Sequence, residues 1–179
     1  MKNLCITFLV LAIIILSFIG LNLQDGMVQK EYLRIHIRAD SNVDSDQNVK
    51  YKVKDAVVNY LTPFIAECDT KKKAETLLTD RLDQIKVVVD GVLKANGFDY
   101  GCNLSVKEEK FPTRVYGELE LKAGIYDALI INLGSGKGDN WWCVVYPPLC
   151  FTGDGTSYVY KSKIKQIIDQ FFYKQEKGR

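Results

Sequence analysis

The chain has 179 residues, of which 47% are hydrophobic, and its 24 basic and 22 acidic residues give a net charge of +2. A chain of this size fits one domain with a hydrophobic core of its own. The nearly balanced charge gives no electrostatic basis for binding nucleic acid, and we therefore exclude that class of function.

The first predicted element is an apolar segment, Leu4–Leu21, which carries no charge and follows Lys2. Its length suits either the core of a signal peptide or a short membrane helix. We predict that residues 1–24 are a signal peptide or an uncleaved N-terminal membrane anchor, and that residues 25–31 are a linker. Either alternative exports the rest of the chain and leaves Lys2 on the cytoplasmic side.

Residues 32–175 are predicted to form a single domain, with residues 176–179 as a tail. Its first element is a strand, Tyr32–Arg38, because apolar and polar residues alternate strictly. One face would carry Leu33, Ile35 and Ile37, and the other Arg34, His36 and Arg38. This alternation predicts a half-buried strand.

Helical periodicity follows the first strand. Apolar residues that recur with a period of about 3.6 residues predict helices over Asp46–Leu61 and Thr70–Asn96. Pro63 should end or kink the first helix, and Asn96 with Gly97 is a usual helix stop. A C-terminal helix is predicted over Ser157–Tyr173 after a turn at Gly153–Gly155.

Four more strands are predicted between the long helices and the C-terminal helix. Short connections favour an antiparallel meander. The predicted fold is α+β, a mostly antiparallel sheet of about five strands with two long helices and a C-terminal helix packed on it. The four strands are Cys102–Glu109, Arg114–Leu121, Ile125–Leu133, which is apolar on both faces and should be central, and Trp141–Tyr146.

The last of these strands runs into an aromatic segment, Asn140–Phe151, which contains both tryptophans and a Pro147–Pro148 pair that must end the strand. The segment is either a core strand with an aromatic anchor or a rigid surface that contacts a partner. Adjacent strand residues face opposite sides, so Trp142 groups with Tyr146, and Trp141 belongs to the other face.

Four cysteines remain after Cys5, which belongs to the N-terminal segment: Cys68, Cys102, Cys143 and Cys150. An even number in an exported domain favours disulfides, and four cysteines can pair in three ways. We predict a Cys143–Cys150 bond across the Pro147–Pro148 corner. Four buried thiols are the alternative.

No arrangement in the sequence indicates catalysis, a cofactor or a metal. The loop Gly134–Asp139 resembles a phosphate-binding loop only superficially, since it lacks the required spacing and the Ser or Thr after Lys137. His36 is the only histidine, which leaves little basis for a Cys-His enzyme or a zinc site. We predict no catalytic, cofactor-binding or metal-binding residues.

Three segments resemble one known family. They are Leu-Arg-Ile-His-Ile-Arg-Ala-Asp-Ser from Leu33, Phe-Pro-Thr-Arg-Val-Tyr-Gly-Glu-Leu from Phe111, and Asn-Trp-Trp-Cys-Val-Val-Tyr-Pro-Pro-Leu-Cys from Asn140. Together they are similar to the stage II sporulation protein R family of endospore-forming bacteria. The resemblance covers about Leu33 to Phe151.

This resemblance implies a signalling protein that is made in the forespore and exported into the space between the forespore and mother-cell membranes. Its implied partner is a membrane-embedded aspartic protease of the mother cell, which then processes the pro-form of the early mother-cell sigma factor. A secreted cell-envelope or thiol-dependent enzyme and a structural envelope protein are the alternatives. The residues predicted to contact the partner are Trp141, Trp142, Tyr146, Arg114 and His36. If they lie on the same exposed face, Arg114 and the row of Arg34, His36 and Arg38 would supply the polar rim of this surface.

Overall fold

The computed structural model of the chain describes residues 6–17, 29, 31–152 and 158–177. The chain divides into two compact units, Met1–Glu31 and Tyr32–Arg179. In the first unit, residues 6–17 form helix α1, whose side chains are exposed. No helix within the described ranges is both long enough and apolar enough to cross a membrane. Both ends of the segment Leu4–Leu21, almost all of the predicted linker and the Gly153–Gly155 turn lie outside the described residues.

The second unit combines helices with strands, which confirms the predicted α+β class. The strands are β1 (Leu33–Arg38), β2 (Cys102–Phe111), β3 (Arg114–Tyr116), β4 (Leu119–Leu121), β5 (Gly124–Leu133) and β6 (Asn140–Tyr146). The helices are α2 (Asp44–Ile65), α3 (Lys71–Asp80), α4 (Leu82–Ala95) and α5 (Tyr158–Lys177), and Leu149–Phe151 form a short 3-10 turn.

Four strands form a mixed sheet in the order β2-β5-β1-β6. The prediction that β5 is central is confirmed, since it pairs with β2 on one side and β1 on the other. The predicted meander is wrong, because β1 lies between β5 and β6 and runs parallel to β5. Strand β1 is buried along almost its whole length, so its backbone N–H and C=O groups need hydrogen-bonding partners on both edges, which a central position provides.

The predicted strand Arg114–Leu121 is instead a hairpin, in which β3 pairs only with β4. Gly117 adopts φ +63° at its turn, a conformation that glycine reaches without a steric penalty. Strand β5 therefore pairs with β2, and the predicted hairpin turn at Lys122–Gly124 does not join paired strands.

Both faces of the sheet are covered. One face, with Leu33, Ile35 and Ile37, packs against the helices and forms what we call the helical-side core. The other face lies under the β3–β4 hairpin and forms the hairpin-side core, which contains Tyr32, Phe111, Leu121, Tyr126, Ala128, Ile130 and Val144. The expectation of a half-buried β1 is wrong, because Arg34 is 0% and His36 3% exposed.

The predicted helix Thr70–Asn96 is broken into α3 and α4 at Arg81, where the backbone leaves the helical region. The guanidinium of Arg81 lies 3.6 Å from the ring centre of Phe64 on α2 and donates to the hydroxyl of Tyr60 at 3.3 Å. Helix α2 continues through Pro63 to Ile65, beyond the predicted end.

The loop 134–139 packs against the residues that follow β1. Its amides donate within the protein: Ser135 to the Asp40 carboxylate, Gly138 to the Ala39 carbonyl at 2.9 Å, and Asp139 to Asn42 Oδ1 at 2.6 Å. These amides are thus occupied within the protein and are not directed at a phosphate.

Gly138 provides a sharp test of this packing. A Cβ at Gly138 would overlap the carbonyl oxygen of Ser41 and lie 2.6 Å from its carbonyl carbon, and backbone atoms cannot move aside cheaply. We expect Gly138→Ala to lower the free energy of unfolding by about 1–3 kcal/mol, the usual range for overpacking.

Gly91 is the matched control, because a Cβ there meets no atom within 4 Å and the residue lies inside α4. Gly91→Ala should stabilise the protein by roughly 0.5–1 kcal/mol through helix propensity. Urea unfolding of both variants measures the two effects, and equal stabilities would contradict the packing described.

Candidate functional site

The three sequence segments that carry the family resemblance meet beneath the β3–β4 hairpin. Strand β1 contributes Arg34 and His36, and β6 contributes Asn140 and Trp142. The third segment begins at Phe111, the last residue of β2, and supplies Arg114 and Tyr116 from β3. Segments far apart in sequence thus form one continuous group of cationic and aromatic side chains.

Arg34 is the centre of the first part of this group, which we call the arginine–aromatic cluster. Its guanidinium carbon lies 4.1 Å from the ring centre of Phe111, 4.8 Å from that of Tyr126 and 5.7 Å from that of Tyr116. Its Nη2 donates to the hydroxyl of Tyr116 at 2.7 Å. Aromatic rings attract a cation through their negative faces, so the cluster stabilises the charge without a carboxylate.

The second part is a stack of three side chains, Arg114, Trp142 and His36, which we call the cation–indole–imidazole stack. The guanidinium of Arg114 lies 4.1 Å from the ring centre of Trp142. On β1, the His36 ring is stacked on Trp142 with centroids 5.3 Å apart and planes 29° from parallel. Asn140 fixes the imidazole, since Nε2 of His36 is 2.9 Å from its Oδ1.

Burial decides the protonation state of His36. Loss of hydration lowers the pKa of this imidazole, the hydrogen bond to Asn140 opposes that effect, and nearby Arg38 reinforces it. The neutral imidazole is therefore the favoured form in the folded protein. A neutral ring stacks on Trp142 without adding a further positive charge beside Arg34.

This depressed pKa predicts a pH dependence of stability. The unfolded chain binds a proton at His36 below about pH 6.5, whereas the folded protein resists doing so. The contribution of His36 is fully present above that pH and declines as the pH falls below it. We expect His36→Gln to have a shallower loss of unfolding free energy than the wild type between about pH 7 and 5. Identical slopes in urea unfolding would contradict this.

The structure brings together three of the five residues predicted to contact a partner, namely His36, Arg114 and Trp142. Trp141 is half-buried and packs on the helical-side core. Tyr146 was expected on the Trp142 face and is on the helical side too, because the pairing of β1 with β6 shifts register between Leu33 and Arg34. Its hydroxyl donates to the Asp69 carbonyl at 2.7 Å.

Neither tryptophan is a freely exposed surface residue, since both are half-buried on opposite faces of β6. Arg34, His36 and Arg38 were expected to form the exposed rim of a binding surface. Arg34 and His36 are instead buried. The aromatic side chains of the hairpin-side core cover them.

Sequence reasoning missed Phe111, Tyr116 and Tyr126, which surround Arg34. A signal was present for the first two, because Phe111 and Tyr116 belong to the segment Phe-Pro-Thr-Arg-Val-Tyr-Gly that carries the family resemblance. Tyr126 has no such signal. It reaches the cluster through the register of β5, which pairs Tyr126 with Glu109.

The predicted Cys143–Cys150 disulfide is present, with Cα atoms 6.2 Å apart. It holds the 3-10 turn against β6, where the amide of Val144 donates to the sulfur of Cys150 at 3.0 Å. Pro147 and Pro148 are buried at this corner, so they belong to the interior of the fold.

The two other described cysteines are poor nucleophiles. Burial raises the pKa of the Cys68 thiol, and burial together with a hydrogen bond to Asp90 raises that of Cys102 to about 12. A thiolate is the reactive form, and the raised pKa values lower its fraction at neutral pH below that of a free cysteine. Within the described part of the chain, no group of His, Cys, Asp and Glu is arranged to hold a metal ion.

Fold and site together define a disulfide-bonded α+β domain whose distinctive chemistry is cationic and aromatic. Residues 29–156 match the family model described as stage II sporulation protein R, and the chain belongs to this family. It is 33% identical over 128 residues to the stage II sporulation protein R of Bacillus subtilis (strain 168), a match that covers 72% of this chain and 57% of that relative. The chain thus spans little more than half the length of the relative. No solved structure matches it significantly.

Proposed function

We propose that this protein is the exported signal that activates a membrane-embedded aspartic protease in the mother-cell membrane during endospore formation. Activation then leads to processing of the pro-form of the early mother-cell sigma factor. Family membership supports the role in sporulation. One observation supports the assignment of the contact surface: the three segments that resemble the family converge on the cation–indole–imidazole stack.

A signal of this kind acts by binding alone. It shifts the protease towards its active state only if it binds that state more tightly than the inactive one. Arg and Trp are the residue types most enriched at the energetic centres of protein interfaces. Arg114 and Trp142 lie face to face and are both half-buried, so they present cationic and aromatic surface at low conformational cost.

The rival function, a secreted thiol-dependent enzyme, receives little support from the cysteines. Cys143 and Cys150 are joined, and the pKa values of Cys68 and Cys102 are raised. The rival predicts turnover of a disulfide or peptidoglycan substrate by the purified protein, whereas the proposed signal predicts none.

The test is co-expression with the protease and its pro-sigma substrate in a host that does not sporulate. Processing should require this protein. Arg114→Gln should reduce processing by about tenfold or more, which corresponds to a loss of about 1.4 kcal/mol of binding free energy. Immunoblots of the sigma factor measure the result.

Arg81→Gln is the matched control, because Arg81 also lies over an aromatic ring, that of Phe64, but on the helical side. With Arg81→Gln, processing of the pro-sigma factor should be normal. Both variants should melt as cooperatively as the wild type. Full processing with Arg114→Gln, or equal losses in the two variants, would place the contact surface elsewhere.

A further inference from the structure

Arg34 differs from other cations of the sheet in its partners. Arg38, two residues along β1, donates to the Glu109 carboxylate at 2.9 Å and to Asn132 at 3.2 Å. Lys71, at the start of α3, pairs with Asp127 of the sheet. Arg34 is 0% exposed, yet among the described residues Tyr116 provides the one hydrogen bond of its guanidinium.

Several buried polar atoms around Arg34 also lack a protein partner. They are Nε and Nη1 of Arg34, Nδ1 of His36 and Nε1 of Trp142, all withdrawn from solvent on the hairpin side of the sheet. A guanidinium and an indole N–H can only donate, so three of these four atoms, Nε and Nη1 of Arg34 and Nε1 of Trp142, are donors. The set therefore calls for an acceptor, and above all for a negatively charged one.

The charges that act on Arg34 point the same way. Burial lowers the pKa of its guanidinium, and a second cation, Arg114, lies near it. Among the described residues, no carboxylate hydrogen-bonds to this guanidinium. A buried cation without a counter-ion is expensive, whereas a carboxylate satisfies a guanidinium through strong charge-assisted hydrogen bonds.

We propose that the arginine–aromatic cluster is a receptor for a carboxylate of a partner polypeptide, which binds Arg34 in place of the Tyr116 hydroxyl. The source that we assign is an Asp or Glu side chain of that partner. The chain terminus of a partner carries the same chemistry and is the other possible source.

Access is through Tyr116. This residue is half-buried in β3 and accepts a hydrogen bond from Arg34, while its neighbour Val115 is 63% exposed on the outer side of the hairpin. Strand β3 hydrogen-bonds only to β4 and makes no ladder with the main sheet. Rotation of the Tyr116 side chain, or displacement of the hairpin tip at Gly117, would expose the guanidinium without breaking the main sheet.

This inference deepens the proposed function, because the cluster adjoins the stack assigned to partner binding, but its test does not use the protease. The full-length protein is titrated with three short peptides by calorimetry and by melting temperature. The probes are acetyl-Gly-Asp-Gly-amide, its neutral isostere acetyl-Gly-Asn-Gly-amide, and acetyl-Gly-Gly-Gly with a free terminal carboxylate.

We expect the Asp peptide to bind roughly tenfold or more tightly than the Asn peptide and to raise the melting temperature as its concentration rises. Arg34→Met should remove this preference, and Arg38→Gln, the matched control on the same strand, should retain it. Tighter binding of the free-terminus peptide than of the Asp peptide would assign the carboxylate to a chain terminus.

Tyr116→Phe decides the matter even if Arg34→Met fails to fold. It keeps the ring and removes the hydroxyl that competes with the ligand, so the Asp peptide should bind several-fold more tightly than to the wild type. Equal affinity for the Asp and Asn peptides in both the wild type and Tyr116→Phe would overturn the proposal and leave Arg34 a structural residue. A positive result combined with failed processing would keep this site and reject the protease as its partner.

Discussion

Replacing Phe111 with alanine is expected to lower the free energy of unfolding by about 3–5 kcal/mol, the usual cost of deleting a buried phenylalanine side chain. Phe111 is 1% exposed at the end of β2. Its ring faces the guanidinium of Arg34 at 4.1 Å and meets the ring of Tyr126 edge-on at 5.7 Å. The variant leaves a cavity and also removes the nearest aromatic face from a buried cation.

Phe111→Leu separates these two effects, because it retains most of the apolar volume and lacks the ring. A double-mutant cycle with Arg34→Met then measures the coupling between the ring and the cation, expected at about 0.5–2 kcal/mol. Urea unfolding gives all four stabilities. A cost below about 1 kcal/mol for Phe111→Ala would contradict the packing of this face.

Removing the disulfide should produce the second large effect. In the chain-entropy model, closing so short a loop stabilises a protein by about 2–3 kcal/mol, so Cys143→Ala with Cys150→Ala should lose about that amount. The bond also holds Phe151, which is 1% exposed in the helical-side core, and the sulfur that accepts from the Val144 amide.

Unfolding with and without a reductant provides the control for this double variant. Dithiothreitol should destabilise the wild type by a similar amount and leave the double variant unaffected. The free thiols Cys68 and Cys102 are common to both proteins, so their chemistry cancels. Equal sensitivity of the two proteins, or two alkylatable thiols at Cys143 and Cys150 in exported protein, would show that the bond does not form.

Local patterns predicted the elements of this fold better than their arrangement. Alternation correctly assigned the residues of β1 to two faces, and helical periodicity located α2 and α5. Alternation could not show that the polar face of β1 is enclosed, because enclosure depends on where β3 and β4 pack. A clue lay in Gly117, since glycine within an alternating run often marks a bend or turn.

The candidate site could be predicted only in part for the same reason. His36, Arg114 and Trp142 were selected by residue type, and their contact follows from the register that pairs His36 with Trp142. Tyr146 was assigned to the wrong face because the alternation of side chains between the two faces is interrupted at a register shift. No local sequence pattern predicts such a shift. Arg34 was expected at the rim of the surface. Its burial depends on aromatic rings from Phe111 to Tyr126, which lie far from it in the sequence.

The central position of β1 has a consequence for how the chain is made. Synthesis proceeds from the N-terminus, yet Leu33 pairs with Asp127 on one side and Tyr146 on the other. Helices α2 to α4 can pair early, whereas β1 stays without either neighbour until nearly the whole domain has left the ribosome. Such late, non-local pairing slows folding and leaves an apolar strand open to chaperones. We therefore expect a growing chain of this kind to remain unfolded for longer than one whose first strand pairs with the next strand in sequence.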